Sequence, residues 1–359
     1  MSIEEAAETV YPQLALPVLT KARANAARMR SRLEQLLNDG IPEGYASEDT
    51  SLVVFGSLAR REWTSGSDLD WTYLIDGQAN SDHLVIAQKI GKILREQEIP
   101  GPGQSGTFGN MAFSHDIIHQ IGGQFDTNKN TTRRVLLLLE SDVIGKWTQA
   151  HERVVKAVID RYLEEDNHRL TEDGKSYRVP RFLLNDVVRF WRTMGVDFAS
   201  KQRDRGGEEW GLRNAKLRMS RKLIFASGLL VCFSCRLDPA LQKQISISTD
   251  DSAIKLRLVN HIRGHVQQTP LEIVAKSLKD YAVPVQIQRQ FFSSYSAFLE
   301  LLDHDESREA LKKLRAKDSR IDPAFKKVRE IGLAFEQALD CIFFENETLR
   351  PLTRKYGVF

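Results

Sequence analysis

The feature that most constrains this chain of 359 residues is the stretch 54–76, VFGSLARREWTSGSDLDWTYLID. Residues 51–55 are β-branched and aromatic, which predicts a short buried strand that ends in a tight turn at Gly56-Ser57. A second strand is predicted over residues 68–75, closed by Asp76-Gly77. The Gly-Ser turn and the second strand are therefore expected to face one site.

The residue types in this stretch point to phosphate and metal chemistry. Gly56 and Ser57 are expected to leave backbone N–H groups free at the start of a helix, where the helix dipole favours phosphate. Asp68 and Asp70 occupy positions i and i+2 of a strand, so both carboxylates face the same side. Two such carboxylates repel each other unless a cation holds them, and Mg²⁺ suits oxygen ligands and phosphates. The pattern predicts metal-assisted phosphoryl or nucleotidyl transfer, and two surface aspartates in a hairpin are the alternative.

The order strand, Gly-Ser, helix, Gly-Ser-Asp-x-Asp, strand resembles the nucleotidyltransferase-fold superfamily, which includes DNA polymerase β. Residues 59–62 (Ala-Arg-Arg-Glu) and 66–67 (Gly-Ser) also match its pattern. The resemblance implies that Asp68 and Asp70 hold two Mg²⁺ ions, with Mn²⁺ as an alternative. It also implies that nucleotide contacts come from Gly56, Ser57, Arg60 and Ser67.

The same resemblance implies a third carboxylate on a later strand, which helps to hold the catalytic metal and can accept the proton of the attacking hydroxyl. Residues 111–121 (MAFSHDIIHQI) alternate well enough to predict a third strand, and Asp116 is the only acid in it. Asp116 is therefore the candidate third metal ligand. Asp126, in a Gly/Asn-rich loop, is the alternative.

Beyond Thr131 the pattern is almost wholly helical. We therefore predict an α+β protein: a nucleotidyltransferase-fold domain with an N-terminal helix at 1–145, and a helical nucleotide- and product-binding domain with a C-terminal tail at 146–359. The loop 171–176 is an alternative boundary. Residues 201–222 carry eight basic and three acidic side chains. Arg213, Lys216 and Ser220 share a helix face there and are predicted to hold the triphosphate, with a solvated basic face as the alternative.

Composition limits the compartment and the kinds of partner that we expect for this protein. Lys and Arg number 51 against 48 Asp and Glu, and a net charge of +3 does not identify a nucleic-acid binder. Three cysteines cannot all pair within one chain, which favours a reducing compartment. The longest apolar stretch, 223–235, is shorter than the roughly 20 residues of a membrane span. We expect a soluble cytoplasmic enzyme that does not itself insert into a membrane.

The size, the helical second half and the block 181–230 resemble stand-alone bacterial nucleotidyltransferases of anti-phage defence, such as those of Hailong-type systems. The resemblance implies template-independent synthesis of an oligo-dA-like oligonucleotide from dATP, or use of ATP. The oligonucleotide product would act on a separate membrane effector. Assembly into a homo-oligomer is left open.

A candidate primer lies near the C-terminus. Pro351 and Gly357 are expected to end the preceding helix and leave a mobile basic tail that carries Tyr356. A tyrosine hydroxyl can replace the 3′-hydroxyl of a primer as the attacking oxygen. The alternative is that Tyr356, Val358 and Phe359 only dock the tail on the core.

Other acceptors and products remain open at this point. One alternative is a nucleotidyltransferase that modifies a protein, an RNA or a small molecule, as toxins and regulators do. A second is a cyclic or linear ribonucleotide messenger synthase. A third is an inactive binding scaffold, against which the paired Asp68 and Asp70 argue.

Overall fold

The computed structural model describes residues 16–41, 47–103, 107–164, 166, 176–204, 208–248 and 250–357. These residues form an α+β structure in which a small mixed sheet is followed by a helical C-terminal region. The alternative boundary at 171–175 and the docking residues Val358 and Phe359 lie outside the described residues.

Four strands form the sheet, in the order β3-β2-β1-β4. The central strand β1 pairs antiparallel with both β2 and β4, whereas β2 and β3 are parallel. In this register the last residue of β1, Phe55, lies opposite the first residues of its two neighbours, Asp70 and Ser141. The end of β1 and the beginnings of β2 and β4 therefore meet at one edge. The strand bounds are Thr50–Phe55 (β1), Asp70–Ile75 (β2), Asn110–Phe113 (β3) and Ser141–Ile144 (β4).

Helices cover both faces of the sheet, and β2 is buried along almost its whole length, with side chains that alternate between the two faces. Trp71 and Tyr73 pack into one apolar cluster with the helices α1 (Pro17–Gly40) and α3 (Ser81–Glu96), and Leu74 packs into the other with the helical region. Asp70 has the same parity as Leu74 and so faces the helical region. The helices of this part are α1 (Pro17–Gly40), α2 (Gly56–Ala59), α3 (Ser81–Glu96), α4 (Ser114–Ile118) and α5 (Asn128–Leu139).

The helical region is built around α9, whose apolar residues are buried on nearly every side. Its two cysteines, Cys232 and Cys235, are core residues with no exposed surface. The bounds are α6 (Gln149–Glu164), α7 (Arg181–Asp204), α8 (Trp210–Lys216), α9 (Lys222–Leu237), α10 (Pro239–Ser246), α11 (Asp251–Val266), α12 (Pro270–Asp280), α13 (Val285–Asp303), α14 (Asp305–Lys313), α15 (Pro323–Asp340) and α16 (Arg350–Leu352). Single turns of π-helix occupy Leu217–Arg221, Cys341–Glu345 and Thr353–Gly357, and a 3₁₀ turn Ala316–Asp318.

Two predictions of local structure are wrong. The third strand stops at Phe113, and Asp116 lies in the following helix α4 rather than in the sheet. The C-terminal segment is helical up to Gly357, because Pro351 sits in the first turn of α16, where a helix needs no N–H donor. Tyr356 packs against the main apolar cluster.

In the part of the chain that the structure describes, no single helix is long and apolar enough to cross a membrane. The segments Trp210–Leu237 and Pro239–Ser246 reach the required length and hydropathy only as a pair bent by 45°.

Candidate active site

A pocket at the turn after β1 draws its lining from both halves of the chain. Eight of the residues predicted for the site line it: Gly56, Ser57, Arg60, Ser67, Asp68, Asp70, Lys216 and Ser220. The remaining lining residues were not predicted: Glu62, Thr64, Phe108, Glu140, Arg221, Phe298, Leu299, Leu302 and Arg308. Asp116, Arg213 and Tyr356 are not part of the lining.

The turn after β1 requires glycine at its first position. Gly56 has a φ of +69°, and a Cβ atom there would lie 3.2 Å from Oδ2 of Asp70. The turn therefore sits directly against the carboxylate of β2. The Gly56 N–H, which was expected to be free for phosphate, instead donates to Oε1 of Glu140 at 3.0 Å. Ser57 lines the same pocket, so its hydroxyl is the turn's remaining candidate for a phosphate contact.

The two aspartates differ in their surroundings. Burial, together with the charges of Asp68 and Glu140, raises the pKa of Asp70 to about 7, against the lowering effect of Arg221 and Lys216. For Asp68, burial also acts to raise the pKa, but Lys216, with Arg308 and Arg221, holds it below its usual value. Nζ of Lys216 lies 3.6 Å from Oδ1 of Asp68. The pair thus combines one readily ionised carboxylate, Asp68, with one whose ionisation a bound cation would favour, Asp70.

Besides Asp68 and Asp70, two further carboxylates line the pocket, Glu62 and Glu140, whereas Asp116 does not. Glu140 lies between α5 and β4, is 4% exposed and accepts from both Gly56 and Arg60. Asp116 is exposed on α4 and accepts from Nε2 of Gln120 at 3.2 Å. The only sequence signal for Glu140 is an acid that ends an apolar run just before a short strand.

The alternative third carboxylate, Asp126, lies in a different network. Its Oδ2 is 2.9 Å from Nη2 of the fully buried Arg134 and 3.0 Å from Nη1 of Arg189. Asp186 and Tyr162 complete this network, and none of its members lines the pocket. Asp126 therefore has a structural partner and is not placed to bind a metal beside Asp70.

A π-helical turn sets the basic wall of the pocket. Between α8 and α9, Leu217–Arg221 contains an extra residue per turn, so Lys216 and Arg221, five residues apart, both line the pocket. Ser220 lies between them, with its hydroxyl donating to the Lys216 carbonyl at 3.1 Å. Arg213, predicted for the same face, donates instead to the backbone oxygen of Glu208. A regular α-helical spacing could not have identified Arg221.

Arg308 is an unusual cation in this pocket. It belongs to α14 and is only 5% exposed, and its guanidinium donates to the backbone oxygens of Gly66 and Leu302. Its Nε has no partner, and no carboxylate lies within 4.0 Å of it among the described residues. Burial lowers its pKa. A buried cation without a counter-ion is costly, so Arg308 is suited to receive an anion.

Two predicted nucleotide contacts already have protein partners. The Nε of Arg60 donates to Oε2 of Glu62 at 2.7 Å, and its Nη1 donates to Glu140. Burial alone would lower the pKa of Arg60, but these two carboxylates raise it well above its usual value. The Oγ of Ser67 accepts from the Thr64 N–H at 3.0 Å and closes the turn before Asp68. Both residues shape the pocket.

Tyr356 lies elsewhere, in a shallow cavity of about 300 Å³ along α7. Arg181, Asn185 and Arg192 line this cavity beside it. The ammonium group of Lys355 lies 5.3 Å from the centre of the Tyr356 ring. The hydroxyl of Tyr356 is therefore not positioned to react at Asp68 and Asp70 in this conformation.

The donor set of the pocket fits Mg²⁺ held together with a substrate. Among the described residues no group of three or more His, Cys, Asp or Glu is arranged to hold a metal ion by itself. Mg²⁺, however, is commonly bound through one or two carboxylates and the phosphates of a substrate. Asp68 and Asp70 meet that requirement, and their mutual repulsion favours a cation between them.

Comparison with known proteins identifies no relative of this chain: no protein family matches it, and no curated protein matches it either. Any functional conclusion therefore depends on the residues of the pocket and their chemistry.

Proposed function

We propose that the protein is a metal-dependent nucleotidyltransferase of the nucleotidyltransferase fold. In this reaction an acceptor hydroxyl attacks the α-phosphate of a nucleoside triphosphate, and pyrophosphate leaves. The observation that carries the proposal is one pocket in which Asp68 and Asp70 face three cations, Lys216, Arg221 and Arg308, across the Gly56-Ser57 turn.

The charges of the pocket suit a metal–nucleotide complex better than either component alone. Four carboxylates and four cations line it, so its formal charges balance. Mg²⁺ ions offset the negative charge of a triphosphate, so a complex of Mg²⁺ and the triphosphate can enter the pocket without disturbing that balance. The carboxylates are Glu62, Asp68, Asp70 and Glu140, and the cations are Arg60, Lys216, Arg221 and Arg308.

Each wall of the pocket has a distinct role in this proposal. Asp68 and Asp70 would hold the Mg²⁺ ions, which when bound neutralise the phosphates and promote ionisation of the attacking hydroxyl. Lys216 would move from Asp68 to a phosphate oxygen, and Arg308 would gain the anion that it lacks. The enclosed volume is about 70 Å³, which suits ions and a phosphate, so the nucleoside would lie at the mouth beside Phe298.

The acceptor and the product come from the resemblance described above. We propose dATP or ATP as substrate and a template-independent, oligo-dA-like product in anti-phage defence, acting on a separate membrane effector. For Tyr356 to prime synthesis, its hydroxyl must come within about 3–3.5 Å of the α-phosphate. The C-terminal segment would have to leave α7, or a second copy of the chain would have to supply the tyrosine.

The test is to incubate the purified protein with Mg²⁺ and each α-labelled NTP and dNTP in turn, without template or primer. Products are resolved on a denaturing gel before and after protease treatment. Asp68→Asn is the inactive variant, and Asp39→Asn, an exposed aspartate on α1, is the matched control. We expect product with the wild type and the control but not with Asp68→Asn.

The form of the product decides between the acceptors. A ladder from one dNTP that shifts on protease treatment supports protein-primed synthesis, and Tyr356→Phe should then abolish it. A small free product from ribonucleotides indicates a messenger synthase, and label on an added protein or RNA indicates a modifying enzyme. Absence of product and of Mg²⁺-dependent nucleotide binding would refute the proposed function.

A further inference from the structure

A buried chain of hydrogen bonds joins the helical region to the turn after β1. The hydroxyl of Tyr295, on α13, donates to Oε2 of Glu62 at 2.9 Å. The same oxygen accepts from Nε of Arg60 at 2.7 Å, and Nη1 of Arg60 donates to Oε2 of Glu140. Oε1 of Glu140 accepts from the Gly56 N–H at 3.0 Å. Three segments that are distant in sequence, residues 56–62, Glu140 and Tyr295, are thus connected in one line.

This chain of hydrogen bonds is a costly way to stabilise a fold. The side chains of Glu62 and Glu140 are 2% and 3% exposed, and Arg60 alone lies between them. Oε1 of Glu62 has no hydrogen-bond partner among the described atoms. Buried ion pairs often contribute less to stability than apolar side chains of the same volume, and an unpartnered buried oxygen costs more. A role in fixing the geometry of the pocket accounts for such an arrangement better than stability does.

The geometry that the chain fixes is the contact between the turn and the metal-binding carboxylate. Gly56, the last member of the chain, lies against Oδ2 of Asp70, where even an added Cβ would be only 3.2 Å away. At the other end, α13 carries Tyr295 together with Phe298 and Leu299, which line the pocket. A displacement of α13 would therefore reach Gly56 through contiguous hydrogen bonds and Asp70 through the contact of Gly56 with its carboxylate.

We propose that Tyr295 is a positioning residue which, through Glu62, Arg60 and Glu140, holds the Gly56 turn against Asp70 and so sets the Mg²⁺ dependence of the pocket. This inference rests on the proposed function. Tyr295 touches neither metal nor nucleotide in this scheme, and its effect depends on the position of α13.

The protein contains a second buried network of hydrogen bonds, which offers a control. There the hydroxyl of Tyr162 donates to Oδ2 of Asp186 at 2.6 Å, and Arg134 lies between Asp186 and Asp126. Both networks combine arginine, two carboxylates and a buried tyrosine hydroxyl, but the second also contains Arg189 and does not line the pocket. The Tyr162 hydroxyl also accepts from Nε of Arg134 at 2.6 Å, so Tyr162→Phe removes two hydrogen bonds from a network that includes neither Gly56 nor Asp70.

The experiment compares full-length wild type, Tyr295→Phe and Tyr162→Phe. Binding of dATP and of ATP is measured by calorimetry across a Mg²⁺ titration, together with thermal unfolding and the rate of product formation. Loss of a hydrogen bond to a charged group corresponds to about a tenfold effect. We expect Tyr295→Phe to raise the half-saturating Mg²⁺ concentration by about tenfold and to lower kcat, with a smaller change in the KM for nucleotide. Tyr162→Phe should change thermal stability alone.

The outcomes separate the two proposals. If the wild type shows no Mg²⁺-dependent nucleotide binding, the proposed function fails and this inference fails with it. If the wild type binds and Tyr295→Phe has the same Mg²⁺ dependence, only this inference is overturned. Equal shifts in Tyr295→Phe and Tyr162→Phe would also overturn it, because the effect would then be one of stability.

If Tyr295→Phe does not fold, the same measurements are made on Glu62→Gln. Glutamine keeps the volume of Glu62 and still accepts from Tyr295, but it loses the charge that faces Arg60. We expect this variant to fold and to shift the Mg²⁺ dependence in the same direction, and an unchanged Mg²⁺ dependence would refute the inference.

Discussion

The raised pKa of Asp70 makes a specific prediction about stability in the absence of metal. The folded protein shifts this pKa from 3.8 to about 7, so it binds the proton more tightly than the unfolded chain does. The contribution of Asp70 to stability is therefore fully present below about pH 4 and is lost as the pH rises towards 7. At about 1.4 kcal/mol per pKa unit, the ionised carboxylate costs up to about 4 kcal/mol at pH 8.

Asp70→Asn should therefore stabilise the metal-free protein. An amide in this pocket still loses part of its hydration, so we expect a net gain of about 2–3 kcal/mol at pH 8, vanishing near pH 5. At about 1–2 °C per kcal/mol for a chain of 359 residues, Tm should rise by about 3–5 °C at pH 8. At ten times its Kd, Mg²⁺ should stabilise the wild type by about 1.4 kcal/mol and so raise its Tm. It should not raise the Tm of Asp70→Asn.

Thermal unfolding in EDTA and in Mg²⁺, at pH 5 and pH 8, measures both effects. Asp39→Asn, on the exposed surface of α1, controls for the general loss of a negative charge and should show neither. The reasoning is refuted if Asp70→Asn is less stable than the wild type at pH 8, or if the difference does not depend on pH. A response of Asp70→Asn to Mg²⁺ equal to that of the wild type would refute the assignment of the metal site.

Three further substitutions test individual parts of the pocket, and a fourth, Asp116→Asn, serves as a comparison outside it. Gly56→Ala should lower the free energy of unfolding by about 1–3 kcal/mol in urea titrations, because it forces a left-handed backbone on alanine and presses a Cβ against Asp70. Arg308→Gln should weaken pyrophosphate binding by about tenfold in calorimetry without lowering Tm, since it removes a buried cation that has no carboxylate partner among the described residues. Glu140→Gln should reduce the rate of nucleotide transfer, whereas Asp116→Asn should leave it unchanged, and the reverse result would restore the sequence-based assignment of the third carboxylate.

The part of the site that could be predicted from sequence is the part formed by neighbouring residues. Gly56 and Asp70 are brought together by a strand, a turn and a second strand within one short stretch. Alternation along β2 then determines which face Asp70 occupies. Lys216 and Ser220 were found because helical spacing identifies a shared face over one turn.

The part that could not be predicted depends on long-range packing. Glu140 reaches Gly56 because β4 pairs with β1, and the four-residue β4 is too short to show a period. Arg308 enters the pocket only through the packing of α14 against the turn that contains Gly66. Asp116 was misplaced because the five residues of α4 fit alternation as well as a helical period.

The π-helical turn at Leu217–Arg221 has a consequence for how the chain can vary. One continuous rod carries the basic wall of the pocket at its beginning and the most buried helix of the core, α9, at its end. A π turn advances by about 80° per residue, so its five residues rotate the rod about as far as four residues of a regular α-helix. Deleting one residue within 217–221 would therefore restore a regular helix with both faces kept in phase. The change would remove a residue from the basic wall while α9 kept its packing, so this single turn lets the composition of the pocket vary independently of the core.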